Sequence, residues 1–131
     1  MEGRWKTSST CVYNLGYHLI WCPKFRRKVL LGSIETRLKE LLLEKASKIH
    51  VTIENMETMP DHVHLFIRTK PTNSPHYVVQ QLKGYTSRHL RREFRSLRKL
   101  PSLWTRSYYV ESVGHISEDT IKKYIDNQKG K

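Results

Sequence analysis

A chain of 131 residues with 24 Lys+Arg against 12 Asp+Glu carries a formal charge of +12, and one domain over residues 1–131 can bury roughly two-thirds of its surface without staples. No apolar run approaches the ~20 residues of a membrane-spanning helix, the N-terminal stretch MEGRWKTSST lacks the apolar segment of a signal peptide, and two cysteines, Cys11 and Cys22, are too few for a disulfide framework and lack zinc-ligand spacing. The expectation is a soluble cytoplasmic protein with free thiols and no membrane partner.

The first strong element runs from Cys11 to Cys22. Tyr13, Leu15, Tyr17, Leu19 and Trp21 alternate with Asn14, Gly16, His18, Ile20 and Cys22, and period two with aromatic enrichment predicts a strand with one buried face. Pro23 and the cluster Lys24, Arg26, Arg27, Lys28 end it. Ser33 reads as an N-cap, followed at helical spacing by Ile34, Leu38, Leu41, Leu42, Ala46 and Ile49, the pattern of an amphipathic helix. Val51 and Ile53 alternate with Thr52 and Glu54, which predicts a second strand. Met59-Pro60-Asp61 is a tight turn, and His62 to Thr69 a third strand. The short link makes the second and third strands an antiparallel hairpin.

Lys70 to Pro75 is a loop, and Ser74-Pro75 starts a helix by supplying a cap and an N1 proline. That helix is predicted over residues 75–94, with Val79, Leu82, Thr86, Leu90 and Phe94 facing inward. Leu97 to Trp104 is an irregular connection broken by Pro101. Ser107 to Val113 is a fourth strand, ended by Gly114. Ser117 caps a last helix whose first turn carries Glu118 and Asp119, where the helix dipole favours acids. The order β-α-β-β-α-β plus a C-terminal helix predicts an α+β, ferredoxin-like (RRM-like) sandwich. Both main helices then cover one sheet face. The other face is open to nucleic acid, or covered by the last helix or a second subunit.

The charge points to a polyanion, nucleic acid before an anionic membrane surface, although the same excess also serves solubility. Trp5, Phe25, Tyr85 and Phe94 lie among or beside Lys and Arg, and aromatic faces stack on unpaired bases while cations neutralise phosphates. Arg88, Arg91, Arg92, Arg95 and Lys99 form an outer stripe on the long helix. This is either a phosphate-tracking surface or an ordinary solvated face.

The chemistry concentrates at two places. Val63, Leu65 and Ile67 make the apolar face of the third strand, so His62, His64, Phe66 and Arg68 take the other. Two histidines two apart on a strand lie about 7 Å apart on one face, and imidazole suits divalent transition metals. A His-x-His alone is also compatible with satisfied surface histidines. On the last helix, Ile121, Tyr124, Ile125 and Gln128 follow at i, i+3, i+4 and i+7. Tyr124 fits an apolar stripe, but Gln128 at its end needs polar partners, and a metal edge is one way to supply them. His18 falls on the same sheet face as His62 and His64 by strand parity, as a DNA contact, an ordering residue or a structural hydrogen-bond partner.

Tyr17-His18-Leu19-Ile20-Trp21-Cys22-Pro23-Lys24, Met59-Pro60-Asp61-His62-Val63-His64-Leu65, the aromatic segment from Trp104 to Val110 and Tyr124-Ile125-Asp126-Asn127-Gln128 together resemble the single-tyrosine HUH transposases. These are the TnpA proteins of small insertion sequences, with their REP-associated relatives. The resemblance covers nearly the whole chain. It implies that Tyr124 is the nucleophile on single-stranded DNA, forming a 5′-phosphotyrosine link and a free 3′-OH. It implies His62, His64 and Gln128 as ligands of Mg²⁺ or Mn²⁺, element ends with small imperfect hairpins as substrate, no nucleotide cofactor, and a homodimer whose tyrosine helix can complete the partner's site. Lys83, Arg88, Arg91, Arg92 and Arg95 are the candidate DNA contacts. Two other readings stand beside it: a non-catalytic RRM-like nucleic-acid-binding module, and a host-recruited relative acting on chromosomal repeats.

Overall fold

The computed structural model describes residues 6–7, 12–13, 15–113, 122–123 and 125–127. The elements are β1 (Lys6–Thr7), β2 (Val12–Tyr13), β3 (Leu15–Trp21), α1 (Gly32–Lys48), β4 (Thr52–Met59), β5 (His62–Thr69), α2 (Pro75–Glu93) and β6 (Tyr109–Ser112), with 3₁₀ turns at Lys24–Arg26 and Arg95–Lys99. Residues 122–123 and 125–126 are helical. Ser117, Glu118, Asp119, Tyr124 and Gln128, which carry the sequence expectations for the last helix, lie outside the described residues.

β3 to β6 make one four-stranded sheet in the order β4-β5-β3-β6, antiparallel throughout. The first strand of the βαββαβ unit thus lies between its third and fourth. This is the ferredoxin-like arrangement expected from the element order. One face is closed by both helices. Leu19 and Trp21 of β3 and Val63, Leu65 and Ile67 of β5 join Leu38, Leu41, Leu42 and Ala46 of α1 and Val78, Val79, Leu82 and Leu90 of α2 in a single core. Burying an aliphatic side chain of this size fully stabilises the fold by about 1.5–3 kcal/mol.

The expected strand from Cys11 to Cys22 is two strands. β3 begins at Leu15, opposite Thr69, and Val12–Tyr13 instead pairs with Lys6–Thr7 in a separate ribbon. β5 ends at Thr69, so Val12 and Tyr13 find their partner elsewhere. β4 is longer than the alternation around Val51 and Ile53 suggests, because a bulge lies between Ile53 and Asn55. The extra residue puts Ile53 and Met56, three apart, both against the core. A strict period of two conceals that strand.

α1 begins at Gly32 and is capped by Leu31, not Ser33. Leu30 is 1% exposed and donates its backbone N–H to Pro60 O at 3.0 Å. The entry of the helix is therefore set by an anchor in the core, and the Leu31 carbonyl takes the first bonds, from Ile34 and Glu35. At its other end His50 has φ 60, and the Val51 N–H reaches Ala46 O at 2.8 Å, a left-handed closure usually given to glycine. α2 starts as its sequence dictates. The Ser74 side chain accepts from Tyr77 N at 3.1 Å, with Pro75 at N1.

The segment between α2 and β6 is welded to the core. Trp104 donates its indole N–H to the Thr86 hydroxyl at 3.1 Å, and Thr86 donates to Leu82 O at 2.7 Å. Trp104 also meets Trp21 edge-on, centroids 5.9 Å apart and planes at 84°. Thr105 N–H bonds to Cys22 O, and Lys24 N–H to Leu103 O. These bonds hold residues 103–105 against the end of β3, so β6 starts at Tyr109 rather than at Ser107.

Candidate active site

β5 presents its apolar residues to the helices, which forces His62, His64 and Phe66 to the opposite face, as strand parity predicts. β3 lies alongside, with Ile20 opposite His64 and His18 opposite Phe66. His18 Nδ1 and His64 Nε2 share a hydrogen bond of 3.2 Å, and the His18 ring stacks on Phe66 at a centroid distance of 5.1 Å. The third histidine therefore stands on the same face, in contact with the pair.

His62 is 8% exposed and holds Asp61 Oδ1 through Nδ1 at 3.0 Å. The other oxygen, Oδ2, accepts from Arg26 Nε at 2.8 Å. Burial alone would raise the Asp61 carboxyl, but the His62 hydrogen bond and the Arg26 charge outweigh it and hold the carboxyl below its ordinary value. An ionised Asp61 accepts from Nδ1–H and so keeps the proton of a neutral His62 on Nδ1, leaving the Nε2 lone pair available. Metal-binding histidines commonly carry such a carboxylate on the ring nitrogen that faces away from the metal. His64 Nδ1 lies 3.9 Å from Glu57. Burial, with the neighbouring His18 and His62, lowers its pKa despite Glu57, and burial lowers that of His18 as well. Both imidazoles are thereby favoured in the neutral, ligating form.

The donor set fits a divalent cation in part. Two imidazoles share a face and one has an oriented carboxylate behind it. Among the described residues no group of three or more His, Cys, Asp or Glu is placed to hold an ion. Tyr124 and Gln128, the other half of the expected site, lie outside the described residues.

The cationic candidates divide by surroundings. Arg88, Arg92 and Arg95 are exposed. Arg91 is half-buried and donates to Leu100 O at 3.0 Å. Lys83 donates from Nζ to the carbonyls of Thr105, Arg106 and Ser107, and burial pulls its pKa down to about 8. It braces the 105–107 segment. Lys83 also lines a groove of about 700 Å³ beside α2, together with Lys24, Trp104 and Arg106.

Asp61 and Arg26 are site residues that the sequence reading did not single out. Asp61 reads as a turn residue, and only its place directly before the His-x-His could have marked it. Arg26, 35 positions away from Asp61, carries no such signal.

The sequence profile of the family described as Transposase IS200 like matches residues 11–128. The chain belongs to the IS200-like transposase family. It is 37% identical over 123 residues to the ISDra2 transposase TnpA of Deinococcus radiodurans, covering 92% of this chain and 88% of that protein. It is 28% identical to the transposase for insertion sequence element IS200 of Salmonella typhimurium, covering 89% and 81%. A crystal structure of a Deinococcus radiodurans protein assigned as a transposase superposes with a TM-score of 0.88 at 35% identity, covering 96% of this chain and 99% of that one. A REP-associated tyrosine transposase bound to a REP hairpin superposes at a TM-score of 0.60 and 11% identity, covering 92% and 68%, a likeness of fold. Membership of this family implies an enzyme that cleaves and rejoins DNA.

Proposed function

We propose that this transposase cleaves and rejoins single-stranded DNA at the hairpin-bearing ends of an insertion sequence, with Tyr124 as nucleophile and His62, His64 and Gln128 holding Mg²⁺ or Mn²⁺. The observation that carries the reading is the pair of imidazoles on the face of β5 away from the core, His62 held by the Asp61–Arg26 pair and His64 beside His18, in a chain of this family. Tyr124 Oη attacks the scissile phosphorus. A phosphorus–tyrosine oxygen bond forms, the bond to the 3′-oxygen breaks, and the proton that the phenol gives up is balanced by the one the 3′-oxygen takes. The link keeps the phosphodiester's energy, so attack by another 3′-OH reverses the step without a nucleotide cofactor. Bound metal would polarise the phosphate and offset its developing charge, which a phenol with an ordinary pKa near 10 needs at neutral pH.

Arg88, Arg91, Arg92 and Arg95, with Lys83 on another side of α2, are the residues we assign to hairpin phosphates. The REP-associated neighbour is bound to a REP hairpin, which supports hairpin DNA as the kind of substrate. A homodimer is part of the same reading, with the tyrosine helix of one subunit able to serve the other.

The test uses labelled single-stranded element-end DNA with Mg²⁺ or Mn²⁺. Wild-type protein should form a denaturation-resistant protein–DNA adduct. Tyr124→Phe should lose it while hairpin binding stays within about twofold. An adduct that survives in Tyr124→Phe sinks the assignment.

A second expectation concerns the support of His62. Asp61→Ala removes the acceptor from Nδ1, and loss of such a partner typically weakens metal affinity about 10–100-fold. Calorimetric titration of Mn²⁺ into the wild type and the variant measures it. Equal affinities would remove Asp61 from the metal's support.

A further inference from the structure

The turn after β3 does something that folding alone does not ask for. Phe25 has φ 58 and ψ 19, and Arg26 has φ 51. Two consecutive non-glycine residues in the left-handed region are strained, and such strain persists only where surrounding contacts impose it. Here they do. Lys24 N–H is tied to Leu103 O and Arg26 N–H to Pro23 O, each at 2.8 Å. The Arg26 side chain is tied to Asp61 at 2.8 Å and is 12% exposed.

The consequence is a division of labour along the turn. Arg26 points inward to the carboxylate that orients His62. Phe25 points outward and is 58% exposed, more than any other large hydrophobic side chain among the described residues. An apolar ring held in water by strained backbone contributes nothing to the core. Its surroundings are cationic: Lys24 Nζ stands 5.3 Å from the ring centroid, and Arg27 and Lys28 follow, both exposed. Lys24 also lines the groove that holds Lys83, Trp104 and Arg106.

A rigid exposed ring flanked by cations has the chemistry of a single-stranded nucleic-acid contact, where the aromatic face stacks on a base and the cations take the phosphates on either side. We infer that Phe25 is a stacking platform for an unpaired base of single-stranded DNA, one residue from the Arg26–Asp61 pair that braces His62, with Lys24, Arg27 and Lys28 neutralising the flanking phosphates. The inference rests on the reading of His62 and His64 as the cleavage site, since Phe25 adjoins Arg26 in the chain and Arg26 holds the Asp61 carboxylate against His62.

The test is binding of single-stranded oligonucleotides, each carrying 2-aminopurine at a different position, to the full chain in EDTA, so that no strand is cut. Anisotropy gives the affinity, and quenching of 2-aminopurine reports stacking. Phe25→Ala should weaken binding about fivefold or more and abolish quenching at one position, and Phe25→Trp should retain both. Phe25→Gly should also lose quenching while melting at a temperature equal to or above wild type, since glycine relieves the left-handed strain. Affinity and quenching unchanged in Phe25→Ala would overturn the proposal. So would a wild-type dimer that becomes a monomer in Phe25→Ala with quenching intact, because the ring would then sit between copies. Failure of the cleavage reading looks different: no covalent adduct from the wild type, in a protein whose quenching still depends on Phe25.

Discussion

Replacing His64 with alanine is expected to abolish metal-supported strand cleavage, with a loss on the order of a thousandfold or more in the single-turnover rate. The proposed ligand set has only two imidazoles, so their removal is not graded. One nitrogen and one neutral amide bind a divalent ion weakly, and a preorganised electrostatic contribution lost at a phosphate costs about 10²–10³ in rate by itself. Hairpin binding is expected to change little, because the assigned hairpin surface is the cationic face of α2. Melting temperature should fall modestly, since His64 is half-buried and its hydrogen-bond partner is another imidazole. His18→Ala makes the instructive contrast. It breaks the same hydrogen bond yet frees His64 Nε2, so cleavage should survive. Single-turnover cleavage in Mn²⁺, with calorimetric Mn²⁺ binding in parallel, measures both variants. Cleavage retained in His64→Ala within tenfold of wild type would remove the histidine pair from the chemistry.

The largest expected effect on stability is at Trp21. Trp21→Ala should cost about 3–5 kcal/mol, the range for truncating a buried aromatic in a core that cannot close the cavity. The side chain is 0% exposed, packs edge-on against Trp104, and stands where β3, α2 and the 103–105 segment meet. Single domains are stable by only about 5–15 kcal/mol, so the variant should be partly unfolded at moderate temperature. Urea or guanidinium unfolding measures the loss. A cost below about 1 kcal/mol would mean that Trp104 and its neighbours collapse into the space, and that the seam is softer than its hydrogen bonds to Thr86 and Cys22 imply.

Much of the scaffold is legible because it rests on local rules. The inner stripe of α2 and its Ser74-Pro75 start follow from helical period and cap chemistry. The parity of β5 separates Val63, Leu65 and Ile67 from His62 and His64, and the same parity in β3 places His18 against His64. Where local rules fail, a distant contact has overridden them. The bulge at Ile53 and Asn55 breaks the alternation that defines β4, and the core anchor at Leu30 moves the start of α1 ahead of Ser33. Lys83 illustrates the same limit. As a charge in the sequence it is a candidate DNA contact, but three carbonyls from a segment more than twenty residues away claim its ammonium.

The sequence by itself determined the βαββαβ order, the face on which the histidines stand and, through its resemblance, the family. Each of these depends on spacing or residue identity within a few neighbouring positions. Only the tertiary structure decided what stands behind and beside those histidines. Arg26 reaches Asp61 across 35 positions, His18 reaches His64 across 46, and the strained turn turns Arg26 inward and Phe25 outward. Such contacts come from strand order and from where the core anchors each loop, and no local pattern in the chain encodes the distance between two side chains brought together by a sheet.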